Sequence, residues 1–208
     1  REAVMGDVFI TGNTAIDAMR YTVNQDFRFD IPELDSLDFT GKRVIVVTCH
    51  RRENYGQPMQ DIMHAILEVV NSHPDVEVVY PVHLSPVVHE CAFPILGGHE
   101  RIHLIDPVNV EQMHNLMSRC YMVMTDSGGL QEEAPALGKP VLVMRRETAR
   151  PEAVAAGTAK LAGVEKDTIV KLASELLDSP EAYAKMATAV NPNGDGPASA
   201  RIAAAILW

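Results

Sequence analysis

The chain has 208 residues, is 47% apolar and carries a formal net charge of −10. This composition supplies a substantial core and excludes long disorder, while the charge argues against broad binding to nucleic acid or to an anionic membrane. Cys49, Cys91 and Cys120 are widely spaced with no CxxC, which argues against a disulfide framework or a structural zinc site and for a reducing cytoplasm.

The chain opens at Arg1 rather than Met and runs almost directly into Val8-Phe9-Ile10, which reads as a strand after an internal cut or a processed start. No apolar run is long enough to span a membrane, and no signal peptide is visible. Thr11-Gly12-Asn13 leads to a helix over Thr14 to Val23, and the polar segment Asn24 to Thr40 reads as a connector. Val44 to Val47 is the clearest strand: β-branched, continuous and suited to burial on both faces. Met59, Ile62, Met63, Ile66, Val69 and Val70 recur at helical spacing. Strands are expected at Val76 to Val79 and Ile102 to Ile105, with a partial helix over Val87 to Leu96 limited by Pro94. A helix over Val110 to Met117 then leads to the strand Tyr121 to Met124. Beyond it lie Ser127-Gly128-Gly129, a short helix, the strand Val141 to Met144 and a weak strand at Thr158 to Leu161. The tail is helical around Thr168 to Leu177, broken at Asn191 to Pro197, and Ala-rich from Ala198 toward Trp208.

Strands alternating with helices predict an α/β fold, a parallel sheet with helices on both faces. In such folds ligands gather at the carboxyl ends of the strands. That rim carries His50-Arg51-Arg52-Glu53-Asn54, Pro81-Val82-His83, Asp106-Pro107, Ser127-Gly128-Gly129 and Arg145 to Arg150. Ser127 is a candidate N-cap, and the two glycines admit a ligand close to the backbone. The first N–H groups of the following helix lack intrahelical acceptors and suit an anion such as phosphate. Glu132 and Glu133 suit the hydroxyls of a sugar ring. Arginines 51 and 52 suit phosphate, and His50 suits proton transfer or contact with a diphosphate. An ordinary α/β connection and a solvated charged loop with an internal Arg–Glu pair are the structural alternatives. His83 is held between prolines; His64, His73, His89, His99, His103 and His114 lack comparable context, and no pair has metal-ligand spacing. Arg150 precedes Pro151-Glu152, where Glu152 complements the start of a helix, and is the ligand candidate of the two. No carboxylate pair for proton exchange at a sugar carbon stands out.

These segments, with Gly138-Lys139-Pro140 and Asn191 to Gly196, resemble the non-hydrolysing UDP-N-acetylglucosamine 2-epimerases of bacteria over nearly the whole chain. The resemblance implies a Rossmann-like domain, one half of a glycosyltransferase-B arrangement, with residues 1–208 forming the carboxyl-terminal UDP-sugar-binding domain. It implies conversion of UDP-GlcNAc to UDP-ManNAc by UDP elimination to 2-acetamidoglucal and re-addition, with no nicotinamide or metal cofactor. The main acid and base carboxylates would lie in an amino-terminal domain. By position, His50 resembles the active-site histidine near the diphosphate. Ser127, Gly128 and Gly129 resemble the phosphate-binding turn, Glu133 the ribose carboxylate and Arg150 a further nucleotide contact. Arg51 and His83 resemble contacts to a second, activating UDP-GlcNAc. Val108 and Met113 stand near the uracil, where Gln and Phe are common; Ala149 and Asn193 replace the common Glu and Tyr. The resemblance further implies a cytoplasmic homodimer in the full-length protein. The donor domain of a UDP-sugar glycosyltransferase, a hydrolysing epimerase and a non-catalytic nucleotide-sugar module are the competing readings.

Overall fold

The computed structural model of the protein describes residues 6–207; Arg1 to Met5 and Trp208 lie outside the described residues. The strands are β1 (Arg43–Thr48), β2 (Val76–Pro81), β3 (Ile102–Ile105), β4 (Met122–Thr125), β5 (Val141–Val143) and β6 (Ala159–Leu161). They form one sheet in the order β3-β2-β1-β4-β5-β6, and every neighbouring pair is parallel. This is the doubly wound Rossmann-like order. Its direction reverses between β1 and β4, which opens a crevice at the carboxyl ends of those strands.

The two-residue period of the strands sorts their side chains into two cores. Ile45, Val47, Met122, Met124 and Leu142 face one layer, with the apolar sides of α3 (Gln57–Ser72), α4 (Pro86–Leu96) and α8 (Lys166–Asp178). Val44, Val46, Val123, Val141 and Val143 face the other. There they meet α2 (Pro32–Asp35), α5 (Val110–Arg119), α6 (Leu130–Ala136) and α7 (Pro151–Ala156). Burial on both faces explains the unbroken run Val44 to Val47, each at most 1% exposed. Each such side chain contributes on the order of 1.5–3 kcal/mol by leaving water. Helices α1 (Thr14–Thr22) and α10 (Ala198–Ile206) contact each other, and α1 also contacts α5 and α6. A further helix, α9 (Pro180–Ala187), follows α8 with Ser179 as its N-cap.

Three expectations are corrected. Val8-Phe9-Ile10 forms no strand and is 69%, 64% and 95% exposed, because among the described residues no strand pairs with it to complete its backbone bonds. Asn24 to Thr40 is more than a connector: it contains α2 and buries Phe29 and Leu34 in the second core. Helix α4 runs through Pro94 to Leu96. Pro94 falls in its last turn and forfeits one backbone bond, while Val88, Ala92 and Leu96 are fully buried. All three cysteines are free thiols, and burial pushes Cys120 up to about 12. Among the described residues no helix is long and apolar enough to cross a membrane.

Candidate active site at the carboxyl edge of the sheet

Parallel pairing sets Thr48 of β1 opposite Thr125 of β4, and their hydroxyls meet at 2.6 Å. The two chains then leave the sheet as separate loops, and one carboxylate rejoins them. Asp126 is fully buried. Its Oδ2 accepts from the backbone N–H of His50 at 2.8 Å, the N–H of Arg51 at 2.7 Å and Nδ2 of Asn54 at 3.2 Å. Asn54 is buried too and donates to the Met144 carbonyl at 3.1 Å, so the ends of β1, β4 and β5 are tied together. Asp126 Oδ1 has no hydrogen-bond partner among the described residues, and His50 Nε2 lies 3.9 Å away.

The His50 ring is half-buried and stacks on His83, with centroids 5.2 Å apart. Burial holds the His50 imidazole below its ordinary pKa of 6.5; Asp126 pulls upward, while His83 and Arg51 add to the lowering. The Arg51 guanidinium donates through Nε to the Asp126 carbonyl at 3.2 Å. His50, Arg51, Arg52, Glu53, Tyr55, His83 and Ser85 line an open cleft of about 560 Å³. Glu53 pairs across the rim with Arg145 at 2.6 Å, so the local Arg–Glu pair of the alternative reading is replaced by one between loops.

Ser127 is not the N-cap of α6. Gly129 takes that position with helical backbone angles and no side-chain cap. Ser127 instead belongs to the preceding turn: its N–H donates to Thr125 Oγ1 at 2.9 Å, and its carbonyl accepts from Gln131 Nε2 at 3.0 Å. Gln131 Oε1 accepts the Thr148 hydroxyl at 2.6 Å, and Thr148 Oγ1 accepts the Arg150 N–H at 3.0 Å. These bonds set the loop after β5 against the turn. Neither Gly128 nor Gly129 has a positive φ, so their value is space rather than conformation. A Cβ on Gly128 would stand 3.8 Å from Arg150 Nη2 and 4.0 Å from Arg51 Nη2. Bare backbone therefore faces two guanidinium groups, an arrangement able to bind a diphosphate with charge-assisted hydrogen bonds.

The acidic pair of α6 divides its work. Glu132 is consumed internally: its carboxylate takes Nε of Arg150 and Nδ2 of Asn13, and its carbonyl takes Asn191 Nδ2 at 2.9 Å. Asn13 also caps α1, accepting the Ala15 N–H at 2.9 Å, and its own N–H donates to the Asn193 carbonyl at 2.9 Å. Arg150 thus has a structural role that its sequence context does not reveal, with Nη2 left toward Gly128. Glu133 Oε2 lies 3.5 Å from Nε2 of His114, which is buried and whose Nδ1 is 2.7 Å from Thr22 Oγ1. Val108 lies half-buried in the loop after β3, and Met113 on α5 packs half-buried against the second core. Sequence reasoning gives Asp126 and Asn54 no role of their own and sets His114 aside for want of context; the structure makes all three participants. Among the described residues no group of three His, Cys, Asp or Glu is placed to hold a metal ion.

The UDP-N-acetylglucosamine 2-epimerase family model matches residues 2–207. The UDP-N-acetylglucosamine 2-epimerase of Bacillus subtilis is 50% identical over 97% of this chain and 52% of its own length. The S. aureus MnaA–UDP co-structure is 47% identical with a TM-score of 0.88, over 95% of this chain and 53% of that one. The chain spans about half the length of the curated relatives it matches. The C-terminal domain of a group 1 glycosyl transferase from Francisella tularensis shares the fold alone, at 14% identity and a TM-score of 0.62 over 88% of this chain and 97% of that one. The six-stranded parallel sheet with helices on both faces is the Rossmann-like fold shared with that glycosyl transferase domain. Matched from end to end by the family model, the chain belongs to the UDP-N-acetylglucosamine 2-epimerase family.

Proposed function

We propose that residues 1–208 are the carboxyl-terminal, UDP-sugar-binding domain of an enzyme that inverts C2 of UDP-GlcNAc to give UDP-ManNAc. In this reading UDP leaves to give 2-acetamidoglucal and returns after the C2 proton has been exchanged. The observation that carries it is the bare Gly128 backbone facing the guanidinium groups of Arg51 and Arg150. Two fixed cations at a departing diphosphate stabilise the charge that develops there. The UDP in the co-structure of the S. aureus relative supports the choice of nucleotide.

The remaining roles are those that the family resemblance implies. His50 contacts the diphosphate, Ser127 and Gly129 complete the turn around it, and Glu133 accepts the ribose hydroxyls. Val108 and Met113 flank the uracil. Arg51 serves both ligands: beside the diphosphate at Gly128, it also lines the 560 Å³ cleft, where it and His83 contact a second, activating UDP-GlcNAc. Asp126, Glu132 and Glu53 are each bonded within the chain, which supports assigning the C2 acid and base to the other half of the protein. The same reading makes the full-length protein a cytoplasmic homodimer.

The test is NMR of UDP-GlcNAc in deuterated water, with this chain alone and with the chain joined to the half that its relatives possess. UDP-ManNAc and deuterium at C2 are expected from the joined protein alone. Incorporation by the chain alone would move His50 from phosphate contact to catalytic base. Sugar transfer to an acceptor, or release of free ManNAc with UDP, would select the transferase or the hydrolysing reading instead.

A further inference from the structure

A buried carboxylate oxygen without a donor is uncommon in a folded protein and calls for an explanation. Asp126 has one such oxygen and one that is crowded with donors. Oδ2 holds the backbone of His50 and Arg51 and the side chain of Asn54. Oδ1 has no partner at hydrogen-bond geometry and faces His50 Nε2 at 3.9 Å, about 1 Å beyond hydrogen-bond length. The other titratable group beside this carboxylate is the buried Cys49 thiol, which burial and the Asp126 charge keep protonated. We propose that Asp126 is a two-sided positioning residue: Oδ2 fastens the His50–Arg51 turn to the sheet, and Oδ1 is the counter-charge for His50 when its imidazole takes up a proton.

The groups that bear on His50 come from three loops. Arg51 neighbours it in its own loop, His83 stacks on it from the loop after β2, and Asp126 reaches it from the loop after β4. Arg51 and a protonated His83 oppose a charge on His50; Asp126 favours one. Protonation from solvent gives Nε2 a hydrogen, and a small ring movement supplies Oδ1 with the donor it lacks. The anion of an arriving diphosphate would favour the same charge, a consequence that rests on the function proposed above. The Asp126–His50 pair itself does not rest on it.

The experiment is a pH titration of the imidazole signals of the 208-residue chain by NMR, with Asp126→Asn beside the unsubstituted protein. The His50 midpoint is expected to move to lower pH in Asp126→Asn, while exposed His64 on α3 stays in place. An unmoved His50 midpoint overturns the proposal. Should the variant fail to fold, the unsubstituted chain decides. In acid, the Nε2 proton of His50 must exchange with solvent more slowly than that of His64, and equal exchange overturns the pairing. UDP added to the same samples separates the two claims. No response at Gly128 sinks the proposed nucleotide site and leaves the pair standing; a response at Gly128 with an unmoved His50 midpoint does the reverse.

Discussion

Asp126 and Glu132 belong to one segment and are both carboxylates that hold loops in place, yet their surroundings differ. Asp126 is sealed beneath the rim and takes most of its bonds from backbone N–H groups at the end of β1. Glu132 lies partly open on α6 and takes side chains, Arg150 and Asn13, from two distant segments. The first ties a loop to the sheet, where any loss leaves buried donors unpaired. The second ties surface segments to one another, where water can replace what is lost. One motif thus contains a rigid floor and an adjustable wall, and the bare Gly128 backbone lies between them.

The sharpest way to break this comparison is Asp126→Ala. It orphans three donors, and buried unsatisfied groups cost about 1–3 kcal/mol each. A loss of about 3 kcal/mol or more is expected in denaturant titration, and a loss under about 1 kcal/mol would show that the loops hold themselves. Gly128→Val comes next. With no positive φ to relieve and no contact closer than 3.8 Å for the Cβ, folding should change little. UDP affinity should fall by about tenfold or more as the branched side chain occupies the ligand's place. Unchanged affinity would remove Gly128 from the site.

Glu133→Gln should weaken uridine nucleotides by about 1.5 kcal/mol while sparing a 2′,3′-dideoxyribose analogue. Parallel losses for both ligands would make Glu133 a mere partner of His114. Glu132→Gln should be milder, because Arg150 in that ion pair keeps a third of its side chain in water. Less than about 1 kcal/mol of stability is expected to go, and UDP affinity should hold as Arg150 is freed; a collapse of UDP binding would place Glu132 in the site after all.

The smallest effect concerns acid. His50 is held below 6.5 in the folded protein. The unfolded chain therefore binds the extra proton first as pH falls through 6.5. Stability drops over the window from there down to the folded pKa and levels off below it. His50→Gln should flatten that slope slightly, since the ring is a third exposed; an unchanged slope would assign the acid sensitivity elsewhere.

What the sequence made legible follows from how local each cause is. Val44 to Val47 reads as a central strand because burial on both faces selects an unbroken β-branched run, and the structure places it there. Val8 to Ile10 has similar residues and forms no strand, because a strand also needs a neighbour and local sequence does not carry one. The rim was legible because parallel strands put all their carboxyl ends on one edge. Asp126 was not, since inside a polar turn it looks like any turn residue. Only the pairing of Thr48 with Thr125 brings the His50 N–H over its oxygen. Arg150 reads as free for the same reason: Glu132, which holds it, lies on a helix from an earlier crossover. His114 shows its place only when α5 packs beside α1, with Glu133 on one side and Thr22 on the other.

The central claim is that the rim between β1 and β4 is built for a diphosphate. Calorimetric titration of the chain with UDP and with UMP tests it most directly, because the two differ by the phosphate that Arg51 and Arg150 would share. Each charge-assisted hydrogen bond contributes about 1.5–3 kcal/mol, so UDP should bind about tenfold or more tighter than UMP. Equal affinities, or no heat with UDP at any concentration, would contradict the account.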